Sequence, residues 1–163
     1  MDDFRELYTG ADDPTVQARL TARCHCGRVR YRVSADPVDA KICHCTVCQK
    51  LHGAPMQWAA IFHKHHVRFH AGLDDLRFFD SSLNRQGRAL PCKVSCAFCG
   101  AHIADEGRTM WLAFPSLFDF GMPPLVPAAF RPTCHIFYAS RVFDMDDGLP
   151  KWAGHKNRSV RLG

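Results

Sequence analysis

The chain has 163 residues, 47% hydrophobic and 23% charged, and its 15 Arg and 6 Lys against 16 acidic residues give a net charge of +5. That size and balance describe one globular domain with a core of its own, and no apolar run approaches the roughly 18 residues of a membrane span. The basic residues are dispersed, with no run of five, so the charge permits nucleic-acid binding without indicating it.

The first 20 residues, MDDFRELYTGADDPTVQARL, start acidic and lack a continuous apolar stretch, which argues against a signal peptide and makes the reducing cytoplasm the expected compartment. They read as an N-terminal extension, a tail or an edge element. The domain itself is expected over 21–152, with 153–163 a basic C-terminal tail. In GRVRYRVS, Val29, Tyr31 and Val33 alternate with Arg28, Arg30 and Arg32, the period of two of a half-buried strand. TVCQKLHGA fits one or two helical turns. QWAAIFHKHHVRFHAG reads as a long strand or two, DLRFFDSS as another, and a polar loop surrounds Asn84 to Gly87. ALPCKVSC, TMWLAF and CHIFYASRVF are further strand-like runs. Short strands between turn residues predict an all-β, or β-dominated, domain with few short helices.

Nine cysteines carry the chemistry. In a reducing compartment, close cysteines with short spacers more often bind metal than form disulfides. Cys24 and Cys26, two apart on a strand, point to one face, while Cys96 and Cys99 with Gly100 behind them fit a zinc knuckle, where glycine accepts the positive φ of the turn. Together they offer four sulfurs, which is a closed structural zinc site tying two segments seventy residues apart. Cys43, Cys45 and Cys48 remain, and three is an awkward number. Cys92, Cys134 or a histidine can close a second structural site; the triplet can be unmetallated or redox-active; or it can hold a zinc with an open fourth position. A three-thiolate zinc is a weak Lewis acid toward water but suits a soft thiol, which loses its proton on binding and becomes a nucleophile for a carbonyl carbon.

CHCG at 24–27, CHCTVCQKLHGA at 43–54 and CAFCG at 96–100, with the late segments CHIFYAS and DDGLPKW, closely resemble the glutathione-dependent formaldehyde-activating enzyme family, also called the CENP-V/GFA domain. The resemblance runs from about Thr21 to Trp152. It implies an Mss4-like fold of zinc-stabilised antiparallel sheets, one structural zinc on Cys24, Cys26, Cys96 and Cys99, and a second, catalytic zinc on Cys43, Cys45 and Cys48, where glutathione or a related thiol acts. The family label is carbon-sulfur lyase. Here Ser95 stands where the family often has Phe, Cys92 lies four residues before Cys96, and FPSLFDFGMPP replaces the usual strand and Gly-Ser-Leu-Asp turn, so that stretch is expected to reshape the pocket.

Other residues have competing readings. His52, four residues after Cys48, is a candidate proton shuttle or a hydrogen-bonded packing residue. Gln49 and Lys50 are candidates to hold an anionic ligand, or plain exposed polar residues. His63, His65, His66 and His70 read as a solvated strand surface rather than a metal tract, and His135 as structural unless it faces the second zinc. Trp58, Trp111, Phe114 and Phe118 are pocket or, more commonly, core. No GxSxG, phosphate-binding loop or dinucleotide fingerprint is present. Two functions stand: a zinc enzyme acting on adducts of glutathione or a similar thiol with an aldehyde or other electrophilic carbon, and a non-catalytic zinc-stabilised protein-binding module. The expected partner is a small-molecule thiol or its adduct, with no membrane; the sequence is compatible with a homo-oligomer.

Overall fold

The computed structural model describes residues 4–10, 17–123 and 125–163; positions 1–3 and 11–16 of the N-terminal extension, and Pro124 at the end of FPSLFDFGMPP, lie outside the described residues. Strand makes up 34% of the chain and helix 18%, in short pieces, so the fold is β-dominated. β1 (Leu20–Arg23), β2 (Arg30–Val33) and β5 (Val67–Ala71) form a three-stranded antiparallel sheet. The second sheet has eight strands: β3 (Asp39–Cys43), β4 (Gln57–His63), β6 (Leu76–Asp80), β7 (Arg85–Gln86), β8 (Cys92–Cys96), β9 (His102–Glu106), β10 (Met110–Ala113) and β11 (His135–Ile136). Their spatial order is β11-β3-β4-β10-β9-β8-β6-β7, antiparallel except for β11 beside β3.

The alternation read in GRVRYRVS is realised: Val29, Tyr31 and Val33 are fully buried. Two rows of residues cross the large sheet in register. Ala40, Ala60, Ala113, Ala104 and Val94 sit side by side on β3, β4, β10, β9 and β8 and are all buried. Their small side chains leave room for the aromatic cluster of Tyr31, Phe69 and Trp111, which meet edge-on or tilted at 5.2–5.9 Å. The neighbouring row, Asp39, Ile61, Leu112, Asp105 and Lys93, belongs by strand periodicity to the opposite face.

Several expectations change. The histidine-rich run is not one strand, because Lys64–His66 form a 3-10 turn that carries the chain from the large sheet to the small one. The turn buries Lys64, whose ammonium lies 2.9 Å from Glu106. His63, His65 and His66 stack beside it, and among the described residues they do not form a metal-binding group. CHIFYASRVF supplies only the two residues of β11 before a 3-10 turn at Tyr138–Ser140. The opening segment holds a short helix, α1 (Phe4–Thr9), whose Tyr8 is fully buried and donates its hydroxyl to Glu106 at 3.0 Å. Within FPSLFDFGMPP, Phe118 and Phe120 stack on each other and meet Phe130 edge-on at the core, while Met122 is exposed.

Candidate functional site

The two cysteine pairs meet where the sheets approach each other. Cys24 and Cys26 are not on a strand: β1 ends at Arg23, and Gly27 at φ 76° closes a turn in which the Val29 amide donates to the Cys24 sulfur at 3.3 Å. The second pair has the matching turn, with Gly100 at φ 74°. The Cys24 and Cys26 sulfurs are 3.4 Å apart, Cys26 and Cys96 3.8 Å, and all four lie within 4.8 Å of one another. A tetrahedron of sulfurs with metal bonds of about 2.3 Å has edges of about 3.8 Å. The four sulfurs therefore have the spacing to hold one zinc-sized ion, which would tie the small sheet to the large one.

The triplet gathers at the end of β3 and the start of α2 (Thr46–His52), its sulfurs again within 4.8 Å of one another. Cys45 is the helix N-cap, a position usually held by Ser, Thr, Asp or Asn, and its sulfur accepts the Cys48 amide at 3.3 Å. Gly53, left-handed at φ 57°, ends the helix. The neighbouring sulfurs of Cys43 and Cys48 hold the Cys45 thiol far below its usual pKa, while Cys45 and Cys48 push the Cys43 thiol up. Neither remaining cysteine joins them. Cys92 is buried 3.9 Å from Glu106, and Cys134 is buried at the foot of β11; among the described residues the group contains three sulfurs and no more.

These sulfurs lie along one end of a cavity of about 410 Å³ on the face opposite the core. Ala59 and Ile61 of β4, Met110 and Leu112 of β10, and Ile136 and Phe137 give it an apolar floor and wall. Phe137 sits at φ 53°, a left-handed conformation uncommon for a bulky residue, and packs its ring on His155, which also lines the cavity. Lys93 and Asp105 form one polar corner, and Lys41 and Gln57 add further polar lining. The Lys93 ammonium is 3.7 Å from the Cys48 sulfur and 2.7 Å from Asp105. Burial works against the Lys93 charge, but Asp105 and the sulfurs of Cys48 and Cys45 hold its pKa above the usual value. Burial raises the Asp105 carboxyl despite the neighbouring lysine, and its Oδ1 has no hydrogen-bond partner.

Behind the triplet runs a buried chain of hydrogen bonds. His44, between Cys43 and Cys45, is 2.8 Å from His135, which is 2.7 Å from the Asp147 carboxylate. Burial lowers the His44 pKa to about 4. Gln49 donates to the carbonyls of His44 and Ser140 at 2.7 and 2.9 Å, pinning the helix to the late segment rather than lining the cavity. Lys50 lies on a separate shallow groove with Thr46, Leu51 and Phe79. His52 is not among the residues lining the cavity; its ring is 4.3 Å from His102 and 4.9 Å from Phe114, and burial lowers its pKa to about 4. Trp111, Phe114 and Phe118 are core; Trp58 packs against the core and donates to the Phe130 carbonyl at 2.9 Å.

A family model described as glutathione-dependent formaldehyde-activating enzyme matches residues 19–140. The chain belongs to this family. No curated protein matches it. A crystal structure of a Rhodobacter sphaeroides protein is similar, at 19% identity over 60% of this chain and 85% of that one, with a TM-score of 0.46. The part of this glutathione-dependent formaldehyde-activating enzyme family member that the family model spans contains both cysteine groups, Lys93, Asp105, His44 and His135, and ends before Asp147 and His155. No helix among the described residues is long and apolar enough to cross a membrane. Reasoning from sequence missed Lys93, Asp105 and His44. Only the pairing of β8 with β9 brings the first two together, and a histidine between two cysteines carries no signal of its own.

Proposed function

We propose that this chain is a zinc-dependent carbon-sulfur lyase acting on the adduct of glutathione or a similar thiol with an aldehyde. The observation that carries the reading is the triplet of sulfurs beside a cavity with no fourth cysteine in the group. In this reading Cys24, Cys26, Cys96 and Cys99 hold a structural zinc, and Cys43, Cys45 and Cys48 hold a second. When bound there, a zinc ion would supply an electrophilic position suited to a soft, deprotonated thiol sulfur.

The surrounding residues do the rest. Lys93, within 3.7 Å of Cys48, offsets the negative charge of the thiolates and is a donor for an aldehyde oxygen in the cavity. Asp105, whose side chain lines the same corner, accepts the hydroxyl proton of an S-hydroxyalkyl adduct. As that proton leaves, the carbon-oxygen double bond forms, the carbon-sulfur bond breaks and its electron pair stays on sulfur; addition is the reverse, and nothing is oxidised or reduced. These two residues take the proton-handling role in place of His52 because they line the cavity. The chain from Asp147 through His135 to His44 holds the loop between Cys43 and Cys45, and Gln49 fixes the helix that carries Cys48.

Exchange spectroscopy by NMR tests the reading directly. Zinc-reconstituted protein is expected to speed the interconversion of glutathione plus aldehyde with the S-hydroxyalkyl adduct, and Cys45→Ser and Asp105→Asn each to abolish most of that acceleration. A wild-type protein carrying two zinc ions that leaves the exchange rate unchanged would favour the binding-module reading.

A further inference from the structure

The cavity beside the triplet is larger and more apolar than a one-carbon group requires. Its volume of about 410 Å³ falls within the roughly 300–1,000 Å³ range of sites for small organic molecules, whereas a water-sized group fills only about 30 Å³. The floor is built by register. Ile61 and Leu112 are direct partners across β4 and β10, Ala59 and Met110 extend the same face, and Ile136, paired with Cys43 at the β11 edge of the same sheet, adds to the lining with Phe137. All six line the same space as the three sulfurs. The peptide part of glutathione carries two carboxylates and an ammonium group, whose partners in this cavity are the polar lining of Lys41, Gln57 and His155; laid on the apolar floor instead, those charges lose water without regaining hydrogen bonds.

Resting on the thiol-adduct reading above, we propose that the carbon delivered to or released from sulfur here bears an apolar substituent, a medium-length alkyl or aryl group that lies along Ile61, Leu112 and Met110. The preferred substrate is thus an adduct of a larger apolar aldehyde, and formaldehyde leaves most of the floor unfilled. Ala59 sets the depth available, because its methyl is the smallest apolar group on that floor.

Calorimetric titration of zinc-reconstituted protein with linear alkanethiols from ethanethiol to hexanethiol, and in parallel with glutathione, reads this out without turnover. Transfer of each methylene from water to an apolar surface corresponds to about a three- to fourfold gain in affinity. That gain is expected at each step until the floor is filled. Ala59→Leu is expected to end the series at a shorter chain, and Leu112→Asn to flatten it. Ile61→Asn substitutes for Leu112→Asn if melting shows that variant to be unfolded. If glutathione binds and the alkanethiols show no dependence on length, or the dependence persists in both Ala59→Leu and the folded Asn variant, the apolar-substituent inference is overturned while the thiol site stands. If no thiol binds, glutathione included, both fall.

Discussion

Replacing Glu106 by Gln perturbs the most heavily bonded buried charge among the described residues. Its carboxylate is fully buried and receives Lys64 at 2.9 Å, Arg88 at 2.7 and 2.8 Å, and the Tyr8 hydroxyl at 3.0 Å. Glutamine keeps the shape and one acceptor oxygen but turns an amide NH2 toward donors and leaves the buried Lys64 uncompensated. Breaking one side of a buried ion pair costs roughly 3–5 kcal/mol. The lower end applies here, since Arg88 is partly in contact with solvent. At about 2–4 °C per kcal/mol for a chain of this size, the melting temperature is expected to fall by about 6–12 °C. Adding Lys64→Met, which removes the stranded cation, is expected to recover part of the loss.

The same residue sets a pH dependence. Burial alone raises the Glu106 carboxyl, but the bonds from Arg88 and Lys64 outweigh it and leave its pKa below the usual carboxylate value. A pKa depressed on folding contributes stability that is fully present above the unfolded-state value and lost as pH falls through the folded one. Wild type is therefore expected to lose this contribution progressively from about pH 5 downward, and Glu106→Gln to lack that component. Melts at fixed zinc concentration over a pH series measure both effects. A shift below about 2 °C at neutral pH would refute the reasoning, because it would mean the four donors are satisfied without the carboxylate.

Cys99→Ser is expected to lower the melting temperature steeply, because it opens the cluster joining the two sheets, while Cys45→Ser leaves a folded protein; equal, large losses in circular-dichroism melts would show that both clusters hold the fold. A colorimetric chelator is expected to withdraw one equivalent of zinc quickly, from the three-sulfur group, and the second only as the protein unfolds; a single kinetic phase would contradict unequal sites. Tyr8→Ala removes a fully buried ring that packs 5.2 Å from Trp111 and bonds to Glu106. It is expected to cost about 3–5 kcal/mol in urea denaturation, whereas a dispensable N-terminal tail would show no change.

The parts of the fold legible in the sequence are those governed by local period and spacing. Val29, Tyr31 and Val33 announced a strand because period two is a property of neighbouring residues. CAFCG announced its turn through Gly100 and CHCG a second pair of sulfurs, although CHCG read as strand and its turn at Gly27 shows only in the structure. What escaped depends on contacts distant in sequence. Lys64 looked solvated among histidines, and nothing nearby reveals that Glu106 waits 42 positions later to receive its charge. α1 spans six residues, too few to declare itself by periodicity, and Tyr8 is fixed by packing rather than by propensity. At the candidate site, the cysteine spacing was visible but the cavity was not, since its floor comes from β4 and β10 and its lining also takes in Phe137 in an uncommon backbone conformation. Lys93 and Asp105 read as ordinary strand polar residues until β8 and β9 are paired.

The central claim is that Cys43, Cys45 and Cys48 hold a metal whose remaining position takes a thiol from outside the chain. Cobalt(II) substituted into this group reports its ligands through sulfur-to-metal absorption. Adding glutathione is expected to shift and intensify those bands in wild type and in Cys92→Ser, and to leave no such change in Cys45→Ser. A spectrum that ignores every thiol offered, yet changes on Cys92→Ser or Cys134→Ser, would show that the fourth ligand is supplied from within the chain and would contradict the claim.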